Sequence, residues 1–224
     1  YTNNVKGFAG IDNLNGTSGV DYLYGGEGRD TLEGGSGNDY LYGESGGDTL
    51  RGGNGGDHLY GGTEDDWLQG DAGADTYHFE DGFGQDTIYD YATDGSVDTI
   101  SFAEPINEYD IQVIQSGNDL IIREIGTSNQ MIIQSYYSSN NYKVEQIIFG
   151  EETKTIAELE ANVEQIDSDL IIDAGNTDYE NKVIIVEGVN LEVSGLHVFK
   201  NVELRNGATL SQPLNSTEQL HLQI

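Results

Sequence analysis

A nine-residue pattern of small, acidic and apolar positions runs without interruption from residue 7 to residue 78. Each of its eight repeats has Gly at position one, Asp at position six and a large apolar residue at position eight. That apolar residue is Leu in seven repeats and Tyr77 in the last. Because neighbouring side chains of a strand point to opposite faces, positions seven to nine predict a short strand with only its middle residue inside.

The first six positions of each repeat predict a tight turn, since Gly tolerates positive φ and lets carbonyl groups approach closely. One repeat alone buries a single side chain, which cannot offset the roughly 1–2 kcal/mol per residue lost on ordering the backbone. Stacked repeats bury a continuous core, so the fixed period predicts a solenoid. Stacking also brings the aspartates together. A hard divalent cation such as calcium, which takes about six to eight oxygen ligands, would neutralise them.

Composition supports a cation-binding surface and excludes several partners. The formal net charge is −31, from 9 basic and 40 acidic residues, so nucleic acid and anionic membranes are poor partners. An acidic, Gly-rich run can also be disordered, but disorder does not require a large apolar residue at a fixed phase. The chain has no cysteine and no apolar run long enough to cross a bilayer. We therefore expect no disulfide and no membrane insertion by this segment.

Residues 7–78 resemble the RTX (repeats-in-toxin) nonapeptide array of secreted Gram-negative proteins, Gly-Gly-x-Gly-x-Asp-x-Leu/Ile/Phe-x. The resemblance implies an all-β fold, a right-handed parallel β-roll solenoid with bound calcium, in which two repeats make one coil. Odd and even repeats then form different sheets, and each ion lies between turns that are 18 residues apart. It implies six regular sites, each with two aspartates and with carbonyls from positions two and four of one turn and one and three of the next.

The metal ligands that this resemblance implies are the repeat aspartates and a set of turn carbonyls. The aspartates are Asp12, Asp21, Asp30, Asp39, Asp48, Asp57, Asp66 and Asp75, and Asp86 of a weaker ninth repeat is a further partner for Asp66. The carbonyl donors of odd repeats are Phe8, Gly10, Gly25, Gly26, Glu27, Gly28, Gly43, Glu44, Ser45, Gly46, Gly61 and Thr63. Those of even repeats are Thr17, Gly19, Gly34, Gly35, Ser36, Gly37, Gly52, Gly53, Asn54, Gly55, Gly70 and Ala72. Phe8 and Thr17 replace turn glycines, so we expect the first coil to bind weakly.

Three regions are expected along the chain. Residues 7–102 form the β-roll with its C-terminal cap, in which 96–102 is a degenerate tenth repeat. Residues 103–165, especially 116–122 and 144–149, resemble the haemolysin-type calcium-binding related domain, which implies a β-rich capping domain that seeds folding. One short helix is predicted over 155–165, with Thr155 as its N-cap. Residues 166–224 predict a C-terminal β region, either calcium-free β-helix rungs or the start of another β domain.

The sequence contains no phosphate-binding loop, no zinc-hydrolase motif and no nucleophile elbow, so we expect a non-catalytic module. The main hypothesis is a calcium-binding RTX module that folds on calcium binding outside the cell. It would belong to a larger type I secreted bacterial protein (a toxin, adhesin or exoenzyme), and we expect the parent chain to continue on both sides of this segment. Its localisation would be secreted and extracellular, and its partners would be about six or more calcium ions and the rest of the parent chain.

The alternative is a ligand-binding adhesin or receptor-targeting module. Even repeats place Tyr or His at positions seven and nine, so two ladders of aromatic rings are expected on that face. They either bind a glycan or cell-surface receptor, as the C-terminal β region also could, or stack on one another without a ligand. An enzyme with its active site in residues 166–224 is the third alternative.

Overall fold

The computed structural model describes residues 2–108 and 110–161, and beyond them six strands. In chain order the first eleven strands are β1 (Asn3–Lys6), β2 (Asn13–Asn15), β3 (Asp21–Glu27), β4 (Thr31–Ser36), β5 (Tyr40–Ser45), β6 (Thr49–Asn54), β7 (His58–Thr63), β8 (Trp67–Ala72), β9 (Thr76–Phe79), β10 (Gln85–Ile88) and β11 (Thr99–Phe102). They are followed by β12 (Ile111–Ser116), β13 (Asp119–Glu124), β14 (Gln130–Ile133), β15 (Gln146–Phe149), β16 (Glu152–Lys154) and helix α1 (Ile156–Ala161).

Successive repeats alternate between two sheets. The even-repeat sheet has the order β1-β3-β5-β7-β9-β11-β15-β16, and the odd-repeat sheet has the order β2-β4-β6-β8-β10-β14-β13-β12. All pairs from β1 to β11 are parallel, and partners in the regular array are 18 residues apart. This alternation makes a parallel solenoid of about five turns, which confirms the predicted all-β roll.

The apolar residue of each repeat lies inside the roll, as the alternation predicts. In the even sheet Leu23, Leu41, Leu59 and Tyr77 stand in register, and all four are fully buried. The odd sheet has an equivalent row of leucines from Leu14 to Leu68. Burying one such side chain is worth about 1.5–3 kcal/mol. The two rows therefore form the core along the length of the array.

From the third repeat to the eighth, the turns have a left-handed backbone at positions two and four. Where the array has Gly there, φ is typically between 106° and 129°, as at Gly35 and Gly28. Glu44 (75°), Glu64 (80°) and Asp71 (73°) adopt positive φ at these positions without being Gly. A side chain in this conformation costs about 1–2 kcal/mol. These turns are therefore strained, and the stacking of neighbouring coils must hold them in place.

Residues 103–156 extend both sheets. Strand β14 pairs in parallel with β10, and β15 pairs in parallel with β11. Antiparallel strands then end each sheet, β13 and β12 beyond β14, and β16 beyond β15. Residues 1–156 form one compact unit. The predicted boundary between residues 102 and 103 lies inside this unit, because both sheets run through it.

A second unit comprises residues 157–224. Its described strands are β17 (Val163–Ile166), β18 (Leu170–Ile172), β19 (Val183–Glu187), β20 (Asn190–Val193), β21 (Asn201–Arg205) and β22 (Thr209–Ser211). One three-stranded parallel sheet consists of β17, β19 and β21, and a second consists of β18, β20 and β22. This alternation favours the β-helix-rung alternative for residues 166–224. The Asn206-Gly207 pair also predicts a turn, and these two residues lie outside the described part of the chain.

Helix α1 is shorter than the sequence predicted. It begins at Ile156, directly after Thr155, and ends at Ala161, whereas the prediction extended to residue 165. Val163 begins β17 instead, because the β-branched and alternating residues there suit a strand. Among the described residues, no helix is long and apolar enough to cross a membrane.

The outward face of the even sheet carries the two expected aromatic ladders. Tyr22 and Tyr40 stack with ring centroids 4.7 Å apart, and the neighbouring ladder joins Tyr24 to Tyr42 at 4.8 Å. Both ladders end in histidines, and the rings of Tyr60 and His78 are 4.1 Å apart. Ring separation equals strand separation, so the parallel register alone suffices to build the ladders.

Candidate metal centre

The repeat aspartates form two ladders, one along each edge of the roll. On the odd edge, the backbone amide of Asp12 donates to Oδ1 of Asp30 at 2.8 Å, and Asp30 donates to Asp48 at 2.7 Å. The ladder continues from Asp48 to Asp66 at 2.7 Å and from Asp66 to Asp86 at 2.9 Å. Each aspartate after Asp12 therefore uses one carboxylate oxygen to hold the turn of the preceding coil.

The ladder on the even edge is longer than the repeat pattern predicts. Its regular part joins Asp21, Asp39, Asp57 and Asp75 through bonds of 2.7–2.8 Å. Asp75 then donates to Oδ1 of Asp98 at 2.8 Å, and the amide of Asp98 donates to Oε2 of Glu145 at 2.9 Å. The repeats thereby connect to the segment that contains β15.

The second carboxylate oxygen of six aspartates is buried without a hydrogen-bond partner. These six Oδ2 atoms belong to Asp30, Asp39, Asp48, Asp57, Asp66 and Asp75. A charge removed from water without a partner costs several kcal/mol. Buried polar groups are normally satisfied, so a row of six unsatisfied carboxylate oxygens at equivalent positions indicates a missing ligand.

Protonation equilibria indicate the same shortage of positive charge. Burial raises the pKa of Asp48, Asp57 and Asp66 to about 7, and repulsion from the aspartate one coil earlier adds to this effect. The same causes raise the pKa of Asp75 and Asp86 to about 8. A bound cation would reverse this shift, because an adjacent positive charge favours the ionised carboxylate.

Backbone carbonyls approach the unpartnered oxygens, and Gly at position one makes room for them. A Cβ atom on Gly25 would lie 2.6 Å from Oδ2 of Asp30 and 2.8 Å from the carbonyl oxygen of Gly43 in the next odd turn. On the even edge, a Cβ on Gly34 would meet Asp39 at 2.6 Å in the same way. Carboxylate and carbonyl oxygens thus meet between successive turns, without space for a larger residue.

This donor set fits calcium, which prefers carboxylate and carbonyl oxygens and tolerates irregular geometry. Within the part of the chain that the structure describes, no three Asp, Glu, His or Cys side chains form a cluster able to hold a metal by themselves. Each ion would therefore rely on two aspartates together with backbone carbonyls. The RTX resemblance implies the same combination.

Some of the predicted carbonyl donors already accept a hydrogen bond. The carbonyl at position three of a turn accepts from the amide at position four of the preceding turn on the same edge. The amide of Gly28 thus donates to the carbonyl of Ser45 at 2.8 Å, and the amide of Gly55 donates to that of Ala72 at 2.7 Å. The carbonyls of Glu27, Asn54 and Thr63 do the same, and those of Phe8 and Thr17 accept from Glu27 and Ser36. A carbonyl oxygen has two lone pairs, so each can still bind a metal. The assignment of individual ligands stays a prediction.

The first turn on each edge differs from the others. The amide of Phe8 donates to Oδ2 of Asp12 at 2.8 Å, and the amide of Thr17 donates to Oδ2 of Asp21 at 2.5 Å. The Thr17 hydroxyl lies 3.0 Å from the same Oδ2. Neither position-two residue has positive φ, so its amide turns inward. A protein donor therefore satisfies the oxygens that are unpartnered in later turns.

Three acidic residues at the end of the even edge were not predicted as members of the site. Asp98 and Glu145 extend the ladder, and Asp90 is buried with neither carboxylate oxygen hydrogen-bonded. The Asp98-Thr99-Ile100 segment repeats the Asp-x-apolar pattern and could have identified Asp98. Asp90 and Glu145 carry no such signal, because insertions remove them from the nine-residue phase.

Comparison with known families agrees with this geometry. Four matches to the RTX calcium-binding nonapeptide repeat cover residues 6–41, 15–50, 42–77 and 51–88. Residues 6–88 are RTX calcium-binding repeats. Calcium is therefore the ion that the RTX array binds. Residues 119–150 match the haemolysin-type calcium binding protein related domain, and this segment contains β13, β14 and β15, which continue both sheets of the RTX array.

The RTX array is also similar to part of a longer protein. The iron-regulated protein FrpA of Neisseria meningitidis serogroup C is 38% identical to this chain over 79 residues. The match covers 33% of this chain and 7% of FrpA. The similarity therefore concerns one segment of FrpA and not its full length.

Proposed function

We propose that this chain is a calcium-dependent folding module of a larger exported bacterial protein. The row of six unpartnered Oδ2 atoms carries the proposal, because a folded array without cations must bury uncompensated carboxylates. The net charge of −31 adds long-range repulsion to this local cost. In low calcium the array is then unfolded, and calcium-binding energy becomes folding energy.

The free energy expected from calcium binding is large enough to switch the array from unfolded to folded. Extracellular calcium modules bind with a Kd of about 10⁻⁴–10⁻³ M. At about 1 mM calcium, a site with a Kd of about 10⁻⁴ M stabilises the folded state by roughly 1.4 kcal/mol. Six such sites supply roughly 8 kcal/mol, which is comparable to the whole stability of a typical domain. Calcium therefore decides whether the array folds.

The module itself is non-catalytic and acts where calcium is abundant, outside the cell. RTX repeats are typical of secreted proteins, and an array that stays unfolded in the calcium-poor cytosol suits passage through a type I export channel. The parent protein is a toxin, adhesin or exoenzyme whose activity lies elsewhere in its sequence. Similarity to a small part of FrpA supports such a modular origin.

The test is a titration of the chain with calcium after treatment with EDTA, with magnesium in parallel. Circular dichroism reports the β structure and small-angle scattering reports the dimensions. We expect an expanded chain in EDTA, compaction over a narrow range of calcium concentration, and little effect of magnesium. A chain that stays compact and melts at the same temperature after thorough chelation would exclude the proposal.

The aromatic face supports a second candidate, a glycan-binding adhesin module. A cleft of about 330 Å³ is lined by Tyr42, Tyr60 and His78 together with Glu44, Glu80 and Asp81. Flat rings beside carboxylates can contact both the apolar face and the hydroxyl groups of a sugar. A glycan array in calcium should then show binding that Tyr42→Ser and Tyr60→Ser abolish. Tyr22→Ser, in the other ladder, is the matched control and should retain binding.

A further inference from the structure

Asp90 is a buried carboxylate that the regular ladders do not use. Its side chain is 1% exposed, and no donor group bonds to either of its oxygens while Asp90 is ionised, although the carboxylate of Asp98 is close enough to accept a hydrogen bond from a protonated Asp90. Each of the six ladder aspartates with an unpartnered atom leaves only one oxygen unsatisfied. Asp90 therefore has the largest unmet demand for positive charge among the described carboxylates.

The surroundings of Asp90 are acidic. The charges that act on it most strongly are Asp98, Asp75 and Glu145. Asp98 and Glu145 each already accept a backbone amide of the even-edge ladder. Asp75 contributes its own unpartnered Oδ2, so two carboxylates provide three unsatisfied buried oxygens at the end of the even edge.

The chain geometry explains why this point is irregular. Asp75 and Asp98 are 23 residues apart instead of 18, and the additional residues contain Asp90. The backbone amides of Glu145 and Gln146 both donate to the carbonyl oxygen of Asp98, at 3.0 and 3.2 Å. The longer turn is therefore clamped between the last regular even repeat and the segment that begins β15.

We propose that Asp75 and Asp90 bind a further calcium ion where the even edge of the array meets the following segment. This inference rests on the proposed function, because it takes calcium as the ion that occupies the regular turns. It adds a site that departs from the nonapeptide pattern, because one of its carboxylates comes from an inserted turn and not from position six of a repeat, where Asp98 stands. The ion would tie the last regular even repeat to a turn that Glu145 holds from the following segment.

The alternative to calcium binding is a proton on Asp90. A variant of the same size as Asp90 distinguishes a bound calcium ion from a proton. Asp90→Asn keeps the size and removes the charge, and its carboxamide stays neutral as a protonated Asp90 would. Asp81→Asn removes one exposed charge near the same end of the array and serves as the matched control. The number of calcium ions per chain is measured by equilibrium dialysis at saturating calcium for the wild-type chain and both variants.

We expect Asp90→Asn to bind one ion fewer than the wild-type chain, and Asp81→Asn to bind as many as the wild-type chain. Equal counts in all three would overturn this inference and leave the proposed function intact. A wild-type chain that binds no calcium would instead remove the proposed function itself.

A measurement on the wild-type chain covers the case in which Asp90→Asn does not fold. Crystals grown in calcium should show an anomalous peak about 2.3–2.6 Å from a carboxylate oxygen of Asp90. If calcium peaks appear between the regular turns and none appears at Asp90, then Asp90 is protonated and binds no calcium, which would overturn this inference.

Discussion

The amide of Asp66 donates a 2.9 Å hydrogen bond to Oδ1 of Asp86, which lies twenty residues further along the chain. Every earlier hydrogen bond of the odd-edge aspartate ladder joins residues that are eighteen positions apart. Two extra residues, Phe79 and Glu80, separate the eighth and ninth repeats and account for the difference. The ladder tolerates this insertion because Phe79 is buried in the core while Glu80 is exposed.

Asp65 and Asp66 provide a matched pair for testing the buried ladder. Both are acidic neighbours in one turn, but Asp65 is exposed whereas Asp66 is buried with an unpartnered Oδ2. Asp66→Asn should raise the calcium concentration at the folding midpoint and lower the ion count by at least one. Loss of one site with a Kd of about 10⁻⁴ M corresponds to roughly 1.4 kcal/mol at about 1 mM calcium. Asp65→Asn removes a charge that acts on Asp66 but keeps an oxygen that can accept from the Gln85 amide, so it should leave the ion count unchanged and shift the midpoint much less. Similar effects of the two variants would argue against ligation by Asp66.

Acid should partly replace calcium in the metal-free chain. The folded-state pKa of Asp48, Asp57 and Asp66 is raised to about 7, and that of Asp75 and Asp86 to about 8, against about 3.9 for an unfolded Asp. The folded state therefore binds more protons than the unfolded state between about pH 4 and 8, so its stability falls as pH rises through that window.

This pH dependence can be followed by circular dichroism in EDTA from pH 4 to pH 8.5. The metal-free array should be most structured at the acidic end and should lose structure progressively toward pH 8. In saturating calcium the trend should reverse, because protons compete with the ion for the same carboxylates. A metal-free chain that gains structure as pH rises would contradict the burial of these groups.

Thr17 should control whether the first even turn accepts an ion. Its amide and hydroxyl both contact Oδ2 of Asp21, which occupies the oxygen that later turns leave unpartnered. Thr17→Gly allows positive φ at this position and should add one calcium ion per chain in equilibrium dialysis. Thr17→Ala removes the hydroxyl but keeps the backbone preference, so its ion count should equal that of the wild-type chain. An unchanged count for Thr17→Gly would show that the local backbone does not determine occupancy.

Glu64 combines backbone strain with an unfavourable charge, and two substitutions separate these effects. Its φ is 80°, and its charge contributes to the raised pKa of Asp48 and Asp66. Glu64→Ala removes the charge and keeps the strain, whereas Glu64→Gly removes both. In thermal unfolding with calcium, the Gly variant should exceed the Ala variant by about 0.5–1 kcal/mol, after allowance for the greater freedom of unfolded Gly. An Ala variant as stable as the Gly variant would show that this turn is not strained.

The sequence was sufficient to predict the parts of the molecule that repeat. The period of nine places Leu23 over Leu41 and Asp30 over Asp48, because each coil repeats the geometry of the coil before it. The two sheets, the buried row and the spacing of the ladders follow from that repetition. The ninth repeat retains enough of the pattern to place Asp86 in the ladder beside Asp66, whereas their joint ligation of calcium stays a prediction.

The remaining features depend on local backbone conformation and on long-range contacts, which the nine-residue period does not specify. The closure of the first turns depends on the sign of φ at Phe8 and Thr17, which decides whether an amide faces the carboxylate. Asp90 and Glu145 reach the even edge only through insertions and long-range pairing of β15 with β11. A pattern read along one strand contains no information on partners brought together from 47 residues away.

Apart from Asp86, which ends the odd-edge ladder, each aspartate of the two ladders has its amide bonded to a carboxylate that comes later in the chain. A coil thus depends on its successor for these bonds, and not on its predecessor. Deleting coils from the start of the array leaves the acceptors of the remaining amides in place. Deleting coils from the end removes the carboxylate that the aspartate amide of the new last coil would bond to. The polypeptide therefore carries a direction of assembly, running from the Glu145 end back toward Asp12.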